Sequence, residues 1–125
     1  MIKTFFRGKT LKGEWFYGDL NHFDKGTKIV ISDEGVLLAE VIPETVGQYT
    51  GLKDKNGTKI FEGDIVKWRF QRIWETDYHT SKVIWDYFMS GWRLTVQGGN
   101  AKMRKDIEYE ILGNMHDNPE LLEVE

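Results

Sequence analysis

Apolar and polar side chains alternate with a period of two along several short segments. Val66, Trp68 and Phe70 occupy every second position of one segment. The polar residues Lys67 and Arg69 lie between them. A strand that is buried on one face needs this alternation, because successive side chains point to opposite faces of a sheet. Similar alternation, or a short apolar run, is found in the segments 14–18, 27–31, 36–40, 83–85, 92–96 and 106–111.

These segments are short and closely spaced, and no long amphipathic helix interrupts them. Many short strands at regular spacing are typical of an all-β barrel or sandwich, not of alternating strands and helices. Five Trp, five Tyr and seven Phe favour the same class, because aromatic residues are enriched in strands. The pattern therefore predicts an all-β protein.

Turn residues are densest between positions 45 and 66, TVGQYTGLKDKNGTKIFEGDIV. Asn56-Gly57 predicts a two-residue type I′ hairpin turn, because that turn needs a positive φ at both central residues. A second turn is predicted at Gly63, directly before the next strand. Each of these residues has a geometric role, so we interpret the stretch as a scaffold and not as a loop built around a ligand.

The C-terminal region contains one helical signal. Asn118 followed by Pro119 is typical of a helix start, since Asn caps the first turn and Pro suits the first helical position. Leu121 and Leu122 follow at once and are expected to cover one end of the barrel. We therefore predict a short helical turn here.

Composition narrows the function classes. The chain has 125 residues and no cysteine, which excludes disulfides, thiolate nucleophiles and Cys-based metal sites. No window approaches the roughly 20 apolar residues of a membrane helix, and the first residues lack the apolar run of a signal peptide. We expect a cytoplasmic protein without a membrane partner.

The charge is unevenly distributed. Residues 65–105 contain eight Lys or Arg and three acidic residues, whereas residues 106–125 contain seven acidic residues and no Lys or Arg. We expect these two blocks to be neighbours in the fold. Glu108 and Glu110 should then lie on the outward face of a strand beside basic residues, in ion pairs of about 0.2–1 kcal/mol each.

The stretch VGQYTGLKDKNGTKIFEGDIVK is similar to the signature of the YopX protein family of phage and prophage proteins. The resemblance continues at residues 6–9, 13–15, 43–45, 111–114 and 117–122, and is less distinct between 68 and 103. It implies an all-β fold with barrel-like packing, in a protein that acts in the cytoplasm of a bacterial host cell. It implies no activity and no catalytic residue.

Pattern and resemblance together predict two parts. Residues 1–44 are expected to form a smaller N-terminal β subdomain. Residues 45–125 are expected to form a small SH3-like or YopX-like β-barrel subdomain. The barrel itself is expected over roughly residues 45–113, and the short helical turn lies in the C-terminal tail.

Catalytic and metal sites are not expected. The histidines are His22, His79 and His116, and we interpret them as surface residues, because a zinc site without cysteine needs more convergent ligands. Glu62 and Asp64 lie in a turn, where Asp caps backbone amides. We therefore expect neither an enzyme nor a bound cofactor or metal.

Two binding functions stay open. The first is a protein-interaction or assembly module with a phage or host partner, or a homo-oligomer, supported by many aromatics and strand edges. The alternative is a nucleic-acid-binding barrel that uses basic and aromatic residues in segment 68–105. The candidate contacts are Arg69, Arg72, Trp74, Arg93, Lys102, Arg104 and Lys105.

Two observations place nucleic acid second. Trp68, Trp85 and Trp92 alternate with polar residues and are expected in the core. The net charge is −3, and phosphate binding depends on basic surfaces that release counterions. We therefore expect little specific nucleic-acid binding at physiological salt.

Overall fold

The computed structural model describes residues 5–26, 28–70 and 76–122. Within these ranges the regular structure consists of antiparallel strands and single 3₁₀ turns, which confirms the all-β prediction and is consistent with a small barrel-like fold. The strands are β1 (Phe6–Lys9), β2 (Trp15–Phe23), β3 (Lys28–Asp33), β4 (Val36–Val41), β5 (Gly47–Lys53), β6 (Lys59–Phe61), β7 (Asp64–Trp68), β8 (His79–Asp86), β9 (Gly91–Val96), β10 (Gly99–Lys102) and β11 (Glu110–Asn114). The 3₁₀ turns are Asp24–Gly26, Pro43–Thr45 and Pro119–Leu122. No helix within the described ranges has the length and apolar character needed to span a bilayer.

The chain divides into two compact units. Unit 1 is Met1–Tyr49 and unit 2 is Thr50–Glu125, so the boundary lies within β5. The division into residues 1–44 and 45–125 stays a prediction about which parts fold together.

Unit 1 is an antiparallel sheet in the order β4-β3-β2-β1, with the start of β5 beside β1. Among the described residues of this unit, Ile31 and Val41 are the buried aliphatic ones. The 3₁₀ turn after β4 is joined to β1 by Thr45, whose hydroxyl accepts a hydrogen bond from the Lys9 amide at 2.9 Å. Strand β4 lies at the end of the strand order.

Unit 2 contains the five-stranded sheet β10-β9-β8-β7-β11, together with the hairpin of β5 and β6. Its apolar core surrounds Trp68, and alternation along β7 predicted the core side of this strand correctly. The other core residues are Ile60, Val66, Val83, Leu94, Met103, Ile107 and Tyr109. The predicted helical turn is present as the 3₁₀ turn Pro119–Leu122, which packs against β8.

The hairpin turn at Asn56-Gly57 differs from the predicted type I′. Only Gly57 has a positive φ, of 84°. The Asp54 carbonyl accepts from the Gly57 amide at 3.0 Å, and the Asp54 amide donates to the Thr58 carbonyl at 2.8 Å. This is a three-residue loop, a type I turn followed by a left-handed glycine. The Asp54 carboxylate favours it by accepting from the Asn56 and Thr58 amides.

The predicted strand over 106–111 also begins later than expected. Strand β11 starts at Glu110, because residues 105–107 form a turn. The burial alternation nevertheless holds, since Ile107 and Tyr109 are buried and Glu108 is exposed.

Candidate functional site

The structure places the five predicted contact residues that it describes in different environments. Arg93, Lys102 and Lys105 line one groove of unit 2. Arg69 and Arg104 do not line this groove. Arg72 and Trp74 lie outside the described residues, so their predicted roles stay predictions.

The groove of unit 2 has a volume of about 360 Å³. Its apolar lining includes Trp92 and Met103, and its basic lining is Arg93, Lys102 and Lys105. Its lining includes no Asp or Glu. We name this site the basic groove.

Two of its cations lie side by side on neighbouring strands. Arg93 on β9 is the direct partner of Lys102 on β10. The Arg93 Nε donates to the Asn100 side chain and lies 4.0 Å from the Asp86 carboxylate, so its charge is partly balanced. Within the described ranges, Lys102 and Lys105 have no carboxylate at ion-pair distance.

Arg104 is directed to a different partner. Its Nε lies 2.8 Å from Asp106 Oδ1 and its Nη2 lies 3.0 Å from Asp106 Oδ2, a bidentate pair within one turn. Hydrogen bonding from Arg104 lowers the pKa of the Asp106 carboxyl. Arg104 therefore belongs to the turn that precedes β11, not to the basic groove.

Arg69 contributes to a second cationic position. Its guanidinium carbon lies 5.2 Å from the ring centroid of Tyr78, and the Lys67 ammonium lies 4.7 Å from the same centroid. Tyr78 is more than half exposed. Lys67 also lies directly opposite Glu110, which ties this position to the acidic C-terminal segment.

Glu110 has a residue of the basic block 65–105, Lys67, as its neighbour, whereas its ion pair is with Lys55, which lies outside that block. The Glu110 carboxylate lies 3.4 Å from the Lys55 ammonium, and Lys67 is its cross-strand partner. Glu108 lines a small pocket together with these two lysines. The groove lysines Lys102 and Lys105 are not part of this arrangement.

The hairpin loop between β8 and β9 exposes aromatic side chains that the sequence analysis did not identify. Tyr87 is 86% and Phe88 is 96% exposed. The Asp86 carboxylate fixes the loop by accepting from the Phe88 amide at 2.9 Å and the Met89 amide at 3.2 Å. The sequence does contain a sign of this loop. Residues 86–91 begin with Asp and end with Gly, as is typical of a turn, and three consecutive large apolar residues lie between them.

An aromatic series connects this loop with the basic groove. Trp85 and Trp92 are cross-strand partners with ring centroids 4.9 Å apart in a T-shaped arrangement. Tyr87 approaches Trp85 edge-on at 6.4 Å. Trp92 packs partly against the core, as predicted, and also lines the groove.

The histidines do not form a metal site in the described part of the chain, where no group of three or more His, Cys, Asp or Glu is placed to hold an ion. The interpretation of His79 as a surface residue is wrong. It is only partly exposed, because its ring lies 4.8 Å from the Trp68 ring and 5.7 Å from the Phe70 ring. Strand pairing sets this position, since His79 is the cross-strand partner of Trp68.

Unit 1 presents a different surface at the edge strand β4. Val36, Leu37 and Leu38 are all exposed. The register shifts between Ile31 and Ser32, so that Leu38 is an extra residue on β4. A groove of about 560 Å³ is lined by Leu38 and by the residues of β4 that follow it. We name the three exposed residues and this groove together the β4 edge.

The lining of the β4 edge groove is mainly apolar. It includes the side chains of Leu11, Phe16 and Ile42, with Lys12, Glu14 and Glu40 as its charged residues. Leu11 stands at a turn and is 93% exposed. An exposed apolar surface with a polar rim is typical of an interaction site.

Comparison with known proteins agrees with the resemblance seen in the sequence. The family model described as YopX protein matches residues 6–123. The chain belongs to the YopX protein family. The crystal structure of protein EF1440 from Enterococcus faecalis resembles this YopX family chain with a TM-score of 0.58 and 24% identity, over 98% of this chain and 99% of that chain. This likeness supports the fold alone. A search of curated proteins finds no match.

Proposed function

We propose that this YopX family protein is a non-catalytic interaction module, encoded by a phage or prophage and acting in the bacterial cytoplasm. Its docking element is the β4 edge of unit 1, and its partner is an extended apolar segment of a phage or host protein. The observation that carries the proposal is the exposure of three consecutive large aliphatic residues on an edge strand, Val36, Leu37 and Leu38.

Edge strands are normally protected, because their outer backbone groups can pair with another chain. Strand β4 contains one acidic residue, Glu40, and no Lys or Pro. The extra residue at Leu38 interrupts its pairing with β3, so a partner strand would add over a short stretch only. Main-chain hydrogen bonds would supply affinity and the side-chain pockets specificity, as in β-strand addition.

The lining of the groove beside β4 is suited to binding an apolar side chain and not to catalysing a reaction. Its aliphatic and aromatic lining offers contact area to an apolar side chain of the partner. Leu11, at the turn between β1 and β2, is exposed next to this groove and offers a further anchor.

The test uses a photo-crosslinking residue at Leu37 in cells that carry the prophage, followed by binding of the purified candidate partner. A Leu37→Asp/Leu38→Asp variant should lose binding at least tenfold while it keeps its thermal unfolding temperature, because both side chains are exposed. The matched control is Tyr87→Ser/Phe88→Ser, which removes exposed apolar side chains from unit 2 and should bind normally.

Three outcomes would overturn the proposal. Binding that survives the β4 substitutions would remove the β4 edge as the docking element. Binding that is lost only in the unit 2 control would move it to the β8–β9 loop. Self-association of the purified chain that the β4 substitutions abolish would make the partner a second copy, not a phage or host protein.

A further inference from the structure

The basic groove of unit 2 brings three cationic side chains together, and only Arg93 among them has an acidic neighbour at ion-pair distance within the described residues. Arg93 and Lys102 are direct cross-strand partners, and like charges in that position are destabilising. Lys105 adds a third cation to the lining, and no acidic side chain lines the groove. Asp86 balances part of the Arg93 charge, and an anionic ligand in the groove would offset the repulsion that is left.

The β8–β9 loop adds aromatic surface beside these cations. Met89 and Ser90 of the loop line the groove, and the preceding residues Tyr87 and Phe88 are almost fully exposed. The Tyr87 ring contacts Trp85, which contacts the groove residue Trp92. The loop thus joins a stacking surface to a basic surface.

From this combination we infer that the basic groove binds single-stranded nucleic acid. Backbone phosphates contact Lys102 and Lys105, with Arg93 as a weaker third contact, and bases stack on Tyr87 and Phe88. Charge complementarity selects an anionic partner, and the exposed rings favour one with planar bases. The inference is independent of the proposed function, which uses unit 1.

The affinity should be modest and strongly dependent on salt. About three phosphate contacts on a single strand give a slope near −2 in a plot of log K against log salt. Binding should therefore weaken roughly 20-fold between about 50 and 200 mM salt. This agrees with the expectation of little binding at physiological salt.

The experiment measures the fluorescence anisotropy of labelled oligothymidylate and oligouridylate, about twelve nucleotides long, with the full chain across a salt series. In Lys102→Gln/Lys105→Gln the salt slope should fall to about −0.7, because one phosphate contact remains. The matched control is Lys12→Gln/Lys25→Gln, which removes the same charge from exposed positions of unit 1 and should keep the parent slope.

The loop is tested separately with Phe88→Ser, which should weaken binding roughly tenfold at every salt concentration, because stacking does not release counterions. Phe88→Trp should restore it. Phe88 is almost fully exposed, so neither substitution disturbs the core.

The inference would be overturned if the unit 1 control weakened binding as much as the groove variant, since the attraction would then be unspecific. It would also be overturned if an oligoglutamate of equal charge bound the groove as tightly as the oligonucleotides, because an acidic protein segment would then be the better occupant. Absence of binding at about 50 mM salt would also overturn it, because binding to phosphates is tightest at low salt.

Discussion

The indole nitrogen of Trp68 donates a hydrogen bond of 2.9 Å to the hydroxyl of Ser81 in the core of unit 2. Trp68 is fully buried and Ser81 is 1% exposed, on the neighbouring strands β7 and β8. A buried indole N–H without an acceptor costs stability, so Ser81 allows the largest core side chain to be buried without that penalty.

Ser81→Ala should therefore lower the free energy of unfolding by about 1–3 kcal/mol, because the Trp68 donor stays buried without its acceptor. Urea denaturation measures the change. The matched control is Thr80→Ala at the neighbouring exposed position, which should stay within about 0.5 kcal/mol of the parent. Equal losses in the two variants would contradict this role of Ser81.

The geometry of the hairpin turn predicts that a valine is tolerated at position 56 but not at the adjacent position 57. Gly57 has φ of 84° and open space around its Cβ position, so Gly57→Val suffers from backbone conformation and not from a clash. It should cost at least about 1 kcal/mol. Asn56→Val, at negative φ, should cost less in the same thermal unfolding experiment. A similar penalty at both positions would restore the type I′ assignment, because that turn needs a positive φ at both central residues.

Gly113 of β11 lies against the side chain of Asn118. A Cβ on Gly113 would be 2.8 Å from Asn118 Cγ, so Gly113→Ala should cost about 1–3 kcal/mol through crowding. Gly99→Ala is the matched control, since its Cβ would meet nothing within 4 Å. In an Asn118→Ala background the penalty at Gly113 should shrink; an unchanged penalty would mean that Asn118 is not its cause.

The faces of the strands could be predicted from sequence because burial follows the period of two. Val66 and Trp68 are buried and Lys67 is exposed, as the alternation required. The loop at Asn56-Gly57 could not be predicted in detail, because a side chain outside the dipeptide, the Asp54 carboxylate, favours the longer loop. His79 was misplaced for a similar reason, since its burial depends on its cross-strand neighbour.

The candidate site was only partly predictable. Arg93 and Lys102 are neighbours because the register of β9 and β10 makes them cross-strand partners. The sequence shows that the segment is basic, but it does not give this register. Arg104 has nearly the same sequence context as Lys105, yet its geometry in the turn pairs it with Asp106. The exposed loop residue Phe88 was overlooked because large apolar residues next to a strand resemble its continuation.

The Arg104–Asp106 pair predicts a measurable titration. The hydrogen bond from Arg104 lowers the folded-state pKa of Asp106, so the stabilisation exists above the unfolded-state pKa and is lost as the pH falls through the folded-state value. Carboxyl NMR shifts should show this pKa rising toward its ordinary value in Arg104→Gln. Lys105→Gln should change it much less, and an equal rise in both variants would point to general charge effects.

The last prediction concerns Asp54, whose carboxylate joins the hairpin turn to β11. Oδ1 accepts from the amides of Asn56 at 2.9 Å and Thr58 at 3.0 Å, and Oδ2 accepts from the amide of Ile111 at 3.3 Å. Asp54 is buried, so these amides depend on it for hydrogen bonding. Asp54→Ala should cost at least about 2 kcal/mol, because hydrogen bonds to a charged group are the stronger kind.

Asp54→Asn separates the two connections. The amide oxygen can keep the turn contacts, whereas its NH₂ group cannot accept from Ile111, so the loss of stability should be smaller than for alanine. Amide hydrogen exchange should speed up at Ile111 in both variants and at Thr58 only in Asp54→Ala. Unchanged exchange at Ile111 in Asp54→Asn would show that Asp54 holds the turn alone and that β11 is fixed by its pairing with β7.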